Sequence, residues 1–175
     1  MRLVISACDP AMQALFVPVA RELRRRGWQV DFFTAFRRER AWLRRSGESP
    51  LPDTLRRTGA VLPPELERHV RLRSMVGEIV PGRGLESFAA ALDAAAEEAV
   101  READMAVVWN GGDLHPAVVA RHARAAGRAL LFCESGLFPR TFQMDPEGVN
   151  VAAAAARIVA RTWREHAPLD LPPTG

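Results

Sequence analysis

The residues best suited to chemistry sit in one late run, Cys133-Glu134-Ser135-Gly136-Leu137-Phe138-Pro139-Arg140-Thr141-Phe142-Gln143-Met144-Asp145-Pro146-Glu147-Gly148-Val149-Asn150, which sets acids, amides, glycines and an arginine behind an apolar segment. That segment, Arg128 to Cys133, reads as a short strand buried on both faces of a parallel sheet. Residues that follow such a strand lie at its carboxyl end, the edge where open α/β sheets bind ligands. Glu134 is the candidate catalytic or ligand-orienting acid, since a carboxyl group at the mouth of a buried strand can be desolvated enough to act as a general acid or base. The alternative for Glu134 is a helix cap or a pair with Arg140. Asp145 and Asn150 can hydrogen-bond sugar hydroxyls, while Asp145-Pro146-Glu147-Gly148 also has the composition of a simple turn.

A second polar turn, Asn110-Gly111-Gly112-Asp113, follows the apolar run Met105 to Trp109, and a helix begins near His115. The glycine pair lets backbone amides approach an anion or a sugar closely, and the helix start adds partial positive charge. An ordinary strand-to-helix turn is the alternative for Gly111-Gly112. Both polar turns open on one edge of the sheet. The sequence has no GxGxxG and no GxxxxGK[ST], so a nicotinamide or P-loop nucleotide site lacks support. His69, His115, His122 and His166 form no ligand spacing with Cys8 or Cys133, and no metal or other cofactor is expected. Ser135 stands in no Gly-x-Ser-x-Gly elbow, which argues against a serine nucleophile. Trp109, next to Asn110, is the one tryptophan placed to serve as a sugar platform; Trp28, Trp42 and Trp163 read as packing residues.

The elements that must position these turns are legible as alternating strands and helices. Residues 2–7 read as a first buried strand, residues 12–26 as a helix with Leu15, Phe16, Val19, Ala20 and Leu23 at helical spacing, and Gly27 as its C-terminal cap. Residues 28–34 form a second strand, which closes a right-handed parallel βαβ unit. Residues 36–84 are expected to be an insertion, partly irregular, with a helix from Pro63 to about Glu78. Periodicity resumes over 85–103, where Leu85, Phe88, Ala89, Leu92, Ala96 and Val100 share one face. A strand over 105–109, a helix over 115–126 closed by Gly127, the strand 128–133 and an alanine-rich helix over 151–166 complete the pattern, with a fraying tail over 168–175. The expectation is a single α/β, Rossmann-like three-layer domain over residues 1–167 with a mostly parallel sheet.

A chain of 175 residues can bury a sizeable core without staples. Its cysteines, Cys8 and Cys133, end apolar runs and read as buried thiols in a reducing compartment. Residues 1–7 are too short for a signal peptide, and no run of about 18 apolar residues occurs, so a cytoplasmic protein is expected, at most peripheral at the inner face of a membrane. All 24 basic residues are arginine, yet net charge is only +3. They cluster at Arg24-Arg25-Arg26, Arg37-Arg38, Arg40, Arg44-Arg45 and Arg56-Arg57, a local excess that can meet nucleic acid, anionic lipid or sugar phosphate, or simply be a solvated helix face. No nucleic-acid recognition motif accompanies the charge, and no nucleic acid is expected.

Trp109-Asn110-Gly111 and the spaced pattern Glu134-x-Gly136-x-x-Pro139-x-Thr141-x-Gln143-x-Asp145-x-x-Gly148-Val149-Asn150 resemble the bacterial capsule polysaccharide biosynthesis proteins, a family that includes the β-Kdo transferases of capsule lipid anchors. The resemblance covers about residues 1–30 and 85–155. It implies a cytoplasmic glycosyltransferase-like domain, one half of a GT-B enzyme, in which an N-terminal domain recognises the acceptor and a C-terminal one the sugar nucleotide, CMP-Kdo or a relative. The implied substrate-binding set is Asn110, Gly111, Gly112, Asp113, His115, Gly136, Pro139, Arg140, Gln143, Asp145 and Asn150, with Glu134 assisting acceptor deprotonation. The chain departs from the family in carrying Cys133 and Ser135 around the glutamate, and it ends about 25 residues after Asn150, short of a second domain. A partner chain supplying that domain is therefore expected, with a glycolipid or glycan acceptor; a non-catalytic glycan- or lipid-phosphate-binding module is the alternative.

Overall fold

A computed structural model describes residues 1–6, 10–52, 55, 61–67, 83–136, 141–149 and 153. In chain order they form β1 (Arg2–Ser6), α1 (Pro10–Arg25), β2 (Gln29–Phe33), α2 (Arg37–Arg45), β3 (Pro50–Leu51), a helical turn at 64–67, α3 (Arg83–Arg101), β4 (Met105–Trp109), α4 (Leu114–Ala125), β5 (Ala129–Ser135) and β6 (Phe142–Asp145). The strands make one sheet in the order β3-β2-β1-β4-β5-β6. All neighbours run parallel except β5 and β6. This is an α/β architecture with a mostly parallel sheet, and its order is compatible with a Rossmann-like fold.

The central strands alternate their side chains between two apolar layers. Leu3 and Ile5 of β1 face α1 and α2, where Phe16, Val17, Ala20 and Leu43 join Val30, Phe32, Val107 and Cys133. Val4, Phe33, Ala106, Val108 and Phe132 face the opposite layer, built by Ala89, Leu92 and Ala96 of α3 and Val118 and Val119 of α4. The β-branched residues of β1 and β4 suit strands covered on both faces, while the alanines of α3 let α4 pack closely beside it. Gly27 and Gly127 end α1 and α4 with positive φ of 83° and 63°. The Trp28 and Arg128 amides then donate back to the Leu23 and Ala123 carbonyls at 3.1 and 2.8 Å, the closing bonds of a Schellman cap.

Two parts of the sheet differ from the sequence expectation. Within the segment expected to be an insertion, α2 and β3 form a second βαβ crossover, with Phe32 and Phe33 paired to Pro50 and Leu51. The arginine-rich composition of α2 hides its amphipathic character, since only Arg40 and Leu43 are buried. The strand expected over 128–133 extends to Ser135 and pairs with β6, so part of the expected polar loop is an antiparallel ladder. Of the helix expected from Pro63 to about Glu78, residues 64–67 are helical and 68–78 lie outside the described residues, as do the helix expected over 151–166, apart from residue 153, and the tail 168–175. Among the described residues no helix is long and apolar enough to cross a membrane.

Leu92 is fully buried between α3 and its neighbours. Leu92→Ala is expected to lower unfolding stability by about 2–5 kcal/mol through lost burial plus the cavity left behind. Urea denaturation followed by circular dichroism measures this, and a shift under 1 kcal/mol would mean that the α3 layer is not packed as described.

Candidate functional site

β1 pairs with β2 on one side and with β4 on the other, so the strand order reverses between β1 and β4. In an open parallel sheet the crevice outside the carboxyl ends at such a reversal is where ligands bind. Among the described residues three helices begin at this edge, because α1, α2 and α4 each follow a parallel strand. The turn Asn110-Gly111-Gly112-Asp113 lies between β4 and α4. Asn110 and Gly111 take positive φ of 62° and 81°, and the Gly111 amide donates to the Trp109 carbonyl at 2.7 Å. A side chain on Gly111 would put its Cβ 2.7 Å from Phe132 Cε1, so the backbone lies directly on that ring. Gly112 leaves room for the Asn110 amide, whose Oδ1 would stand 3.1 Å from a Cβ there. Asp113 occupies the N-cap of α4 in extended conformation, and its side chain makes no cap bond.

His115, in the first turn of α4, is only 2 % exposed. The Ala35 amide donates to its Nε2 at 3.3 Å, which leaves Nδ1 to carry the proton and donate to Ser6 Oγ at 3.0 Å. The ring lies 5.0 Å from Phe33 and is stacked 5.4 Å from the half-exposed Phe36, centroid to centroid. Burial pushes the imidazole down to about 3, so it is neutral at physiological pH. Both nitrogens thus serve the protein: His115 ties the end of β1 and the segment after β2 to the start of α4. The substrate contact expected of this residue would have to be made by a ring whose two nitrogens already have protein partners.

β4 and β5 bring the two polar stretches side by side. Trp109 is in register with Cys133, and the Asn110 amide donates to the Cys133 carbonyl at 2.7 Å. Glu134 follows, half-buried, opposite Gln143 of β6, and its Oε1 accepts the Ser135 amide at 2.9 Å. Glu134 caps no helix among the described residues, and Arg140, the expected alternative partner, lies outside them. Gly136 donates from its amide to the Thr141 carbonyl at 2.9 Å, and a Cβ at that position would collide with Thr141 Oγ1, so only glycine fits. Gln143 shares the face of Glu134, whereas β6 carries Asp145 back from the edge to pair with Phe132. Asp145 is 7 % exposed and its Oδ1 accepts the Glu147 and Gly148 amides at 2.8 and 3.2 Å. Its local turn role is therefore formed. Pro139, Arg140 and Asn150 lie outside the described residues. Burial pushes the Cys133 thiol up to about 11, which keeps it protonated and unreactive.

Residues not singled out by sequence complete the edge. Ser6, Gln13 and Thr34 are fully buried polar side chains near the carboxyl ends of β1 and β2 or the start of α1. Ser6 and Thr34 each end an apolar strand run, which is the one signal that could have marked them. Arg40 is buried as well and donates to the Thr34 and Pro52 carbonyls, so this member of the arginine clusters serves the fold. Among the described residues no group of three or more His, Cys, Asp or Glu is arranged to hold a metal ion. No protein-family model, curated protein or solved structure matches the chain.

Because His115 is neutral when buried but titrates near the ordinary 6.5 of an imidazole when unfolded, the unfolded state binds the extra proton first. Its contribution to stability is complete above 6.5 and is lost as pH falls from there toward about 3. Stability is expected to fall by up to about 1.4 kcal/mol per pH unit over the upper part of that window, where carboxylates stay ionised. His115→Gln should flatten the slope between about pH 6.5 and 5; an unchanged slope in urea titrations would show that another group governs it. Gly111→Ala meets both a left-handed backbone and the Phe132 ring, and is expected to cost about 1–3 kcal/mol, read as a lower midpoint in thermal unfolding.

Proposed function

We propose that this chain supplies one wall of a sugar-transfer cleft, corresponding to one half of a GT-B glycosyltransferase of the capsule and surface polysaccharide type. The observation that supports the reading is the register of β4 and β5. Trp109-Asn110-Gly111 and Glu134-Ser135-Gly136, distant in the sequence, share one carboxyl edge through the pair Trp109 and Cys133 and the bond from the Asn110 amide to the Cys133 carbonyl. These are the two stretches that carry the resemblance to the capsule polysaccharide proteins. The edge also opens beside the strand-order reversal, the usual ligand position in such sheets.

In this reading the acceptor, a glycolipid or glycan, lies along the turn Asn110 to Asp113 and against Glu134 and Gln143. The acceptor hydroxyl attacks the anomeric carbon of a CMP-linked sugar such as CMP-Kdo, the bond from that carbon to the phosphate breaks, and CMP leaves with the electron pair. Glu134 takes the hydroxyl proton. The sugar nucleotide is held by a second Rossmann-like domain, in the same polypeptide or in a partner chain. A second reading, a glycan- or lipid-phosphate-binding module without transferase activity, is favoured by one feature. Glu134 Oε1 already accepts the neighbouring Ser135 amide, which ties that oxygen to the chain's own backbone and leaves Oε2 to meet an acceptor hydroxyl.

The test combines the purified protein, with and without a chain carrying the second domain, with CMP-Kdo and a Kdo-bearing lipid acceptor. Transfer is expected only with the second domain present, and Glu134→Gln is expected to lower its rate roughly 100-fold or more while acceptor affinity stays unchanged. Transfer at full rate by the variant removes Glu134 from the chemistry. Acceptor binding with no transfer under any combination selects the binding-module reading, and absence of both sinks the proposal.

A further inference from the structure

We infer that the outer face of α1 and α2 is a docking surface for an anionic lipid bilayer. The outward line of α1 is apolar in its first half and cationic at its end. Leu15 and Val19, one turn apart, are 38 % and 45 % exposed, and Pro18 beside them is exposed. The same line continues through Glu22 to Arg25 and Arg26, which pair with that glutamate. Arg24 points elsewhere: it pairs with the buried Glu48 at 2.7 Å and donates to the Val30 carbonyl at 2.6 Å.

On α2 the outward rows are Arg37 with Arg44 and Arg38 with Arg45, each seven residues apart, and all four are exposed. The one acid of this helix, Glu39, is half-buried, and Arg37, Arg38 and Arg45 make no ion pair with any described residue. Two cations in the first turn oppose the helix dipole. Local helix stability therefore does not account for them, whereas an external anion does. Charge complementarity asks for a polyanion, and the exposed Leu15 and Val19 on the adjoining helix favour a bilayer over nucleic acid, because they insert into the acyl boundary while arginine stems reach the head groups. Phe36, the exposed aromatic that could stack on a base, instead lies against His115 and Phe88, toward the opposite layer.

This face lies beside the carboxyl edge of the sheet rather than on it, so docking leaves that edge open at head-group height. The inference stands independently of sugar transfer, because no saccharide enters its test. The full chain is sedimented with vesicles of phosphatidylcholine alone or mixed with phosphatidylglycerol, at increasing salt. Binding to the mixed vesicles only, weakening with salt, is expected. The triple variant Arg37→Gln, Arg38→Gln, Arg45→Gln should lower partitioning roughly 100-fold, and Leu15→Ser with Val19→Ser should weaken it with the salt dependence retained. Circular dichroism spectra matching the parent show that both variants fold. Equal partitioning of parent and triple variant overturns the inference, as does failure to bind the mixed vesicles. Tighter binding to a single-stranded oligonucleotide, with vesicle binding indifferent to the Leu15 and Val19 changes, also overturns it and makes nucleic acid the partner.

Discussion

The pairing of β1 with β4 is the constraint on which everything else rests. Leu3 to Ser6 lie in register with Met105 to Val108, although more than half of the chain separates them. Such a long-range parallel ladder forms only when apolar layers on both faces repay the entropy of closing so long a loop. Val4 and Ile5, buried on opposite faces, supply that repayment at the sheet centre. Once β1 and β4 are side by side, the carboxyl edge, its reversal of strand order and the helix starts around it follow as geometry.

That edge is unusual in how its polar groups are used. Ser6, Arg40 and His115 are all buried, and the bonds their side chains form run between segments rather than within them, while the buried Thr34 Oγ1 accepts the Phe36 amide locally. A buried polar group without a partner costs more than an apolar replacement, so these bonds specify which segment lies against which. The buried Glu48 plays a similar part at the opposite edge, where Arg24 and Arg21 reach it from α1 at 2.7 and 3.9 Å. The arginine excess thus divides into residues that stitch the fold and residues, chiefly on α2, that face outward.

The sequence shows most of the central fold because strands covered on both faces and helices with one apolar stripe leave strong periodic signals. β4 was legible at both ends, and β1, β2, α1, α3 and α4 within two residues or so. α2 and β3 were not, since four exposed arginines dilute the helix and two residues are too few for a strand pattern. β6 was missed for another reason: Phe142-Gln143-Met144-Asp145 mixes apolar and polar residues around turn formers, and only its partner β5 makes it a strand. For the site, sequence located the two turns and their common edge. It could not show that His115 faces inward, because an inward and an outward histidine at a helix start read alike.

His115 also bears on how the edge meets a ligand. One imidazole joins the end of β1, the backbone after β2 and the first turn of α4, and the Phe33 and Phe36 rings hold it from the sides. These three segments are therefore tied to one another through one buried ring. A molecule arriving there would meet walls already joined, so little chain entropy would remain to be lost on association, and selectivity would follow from shape and hydrogen-bond match more than from closure around the guest.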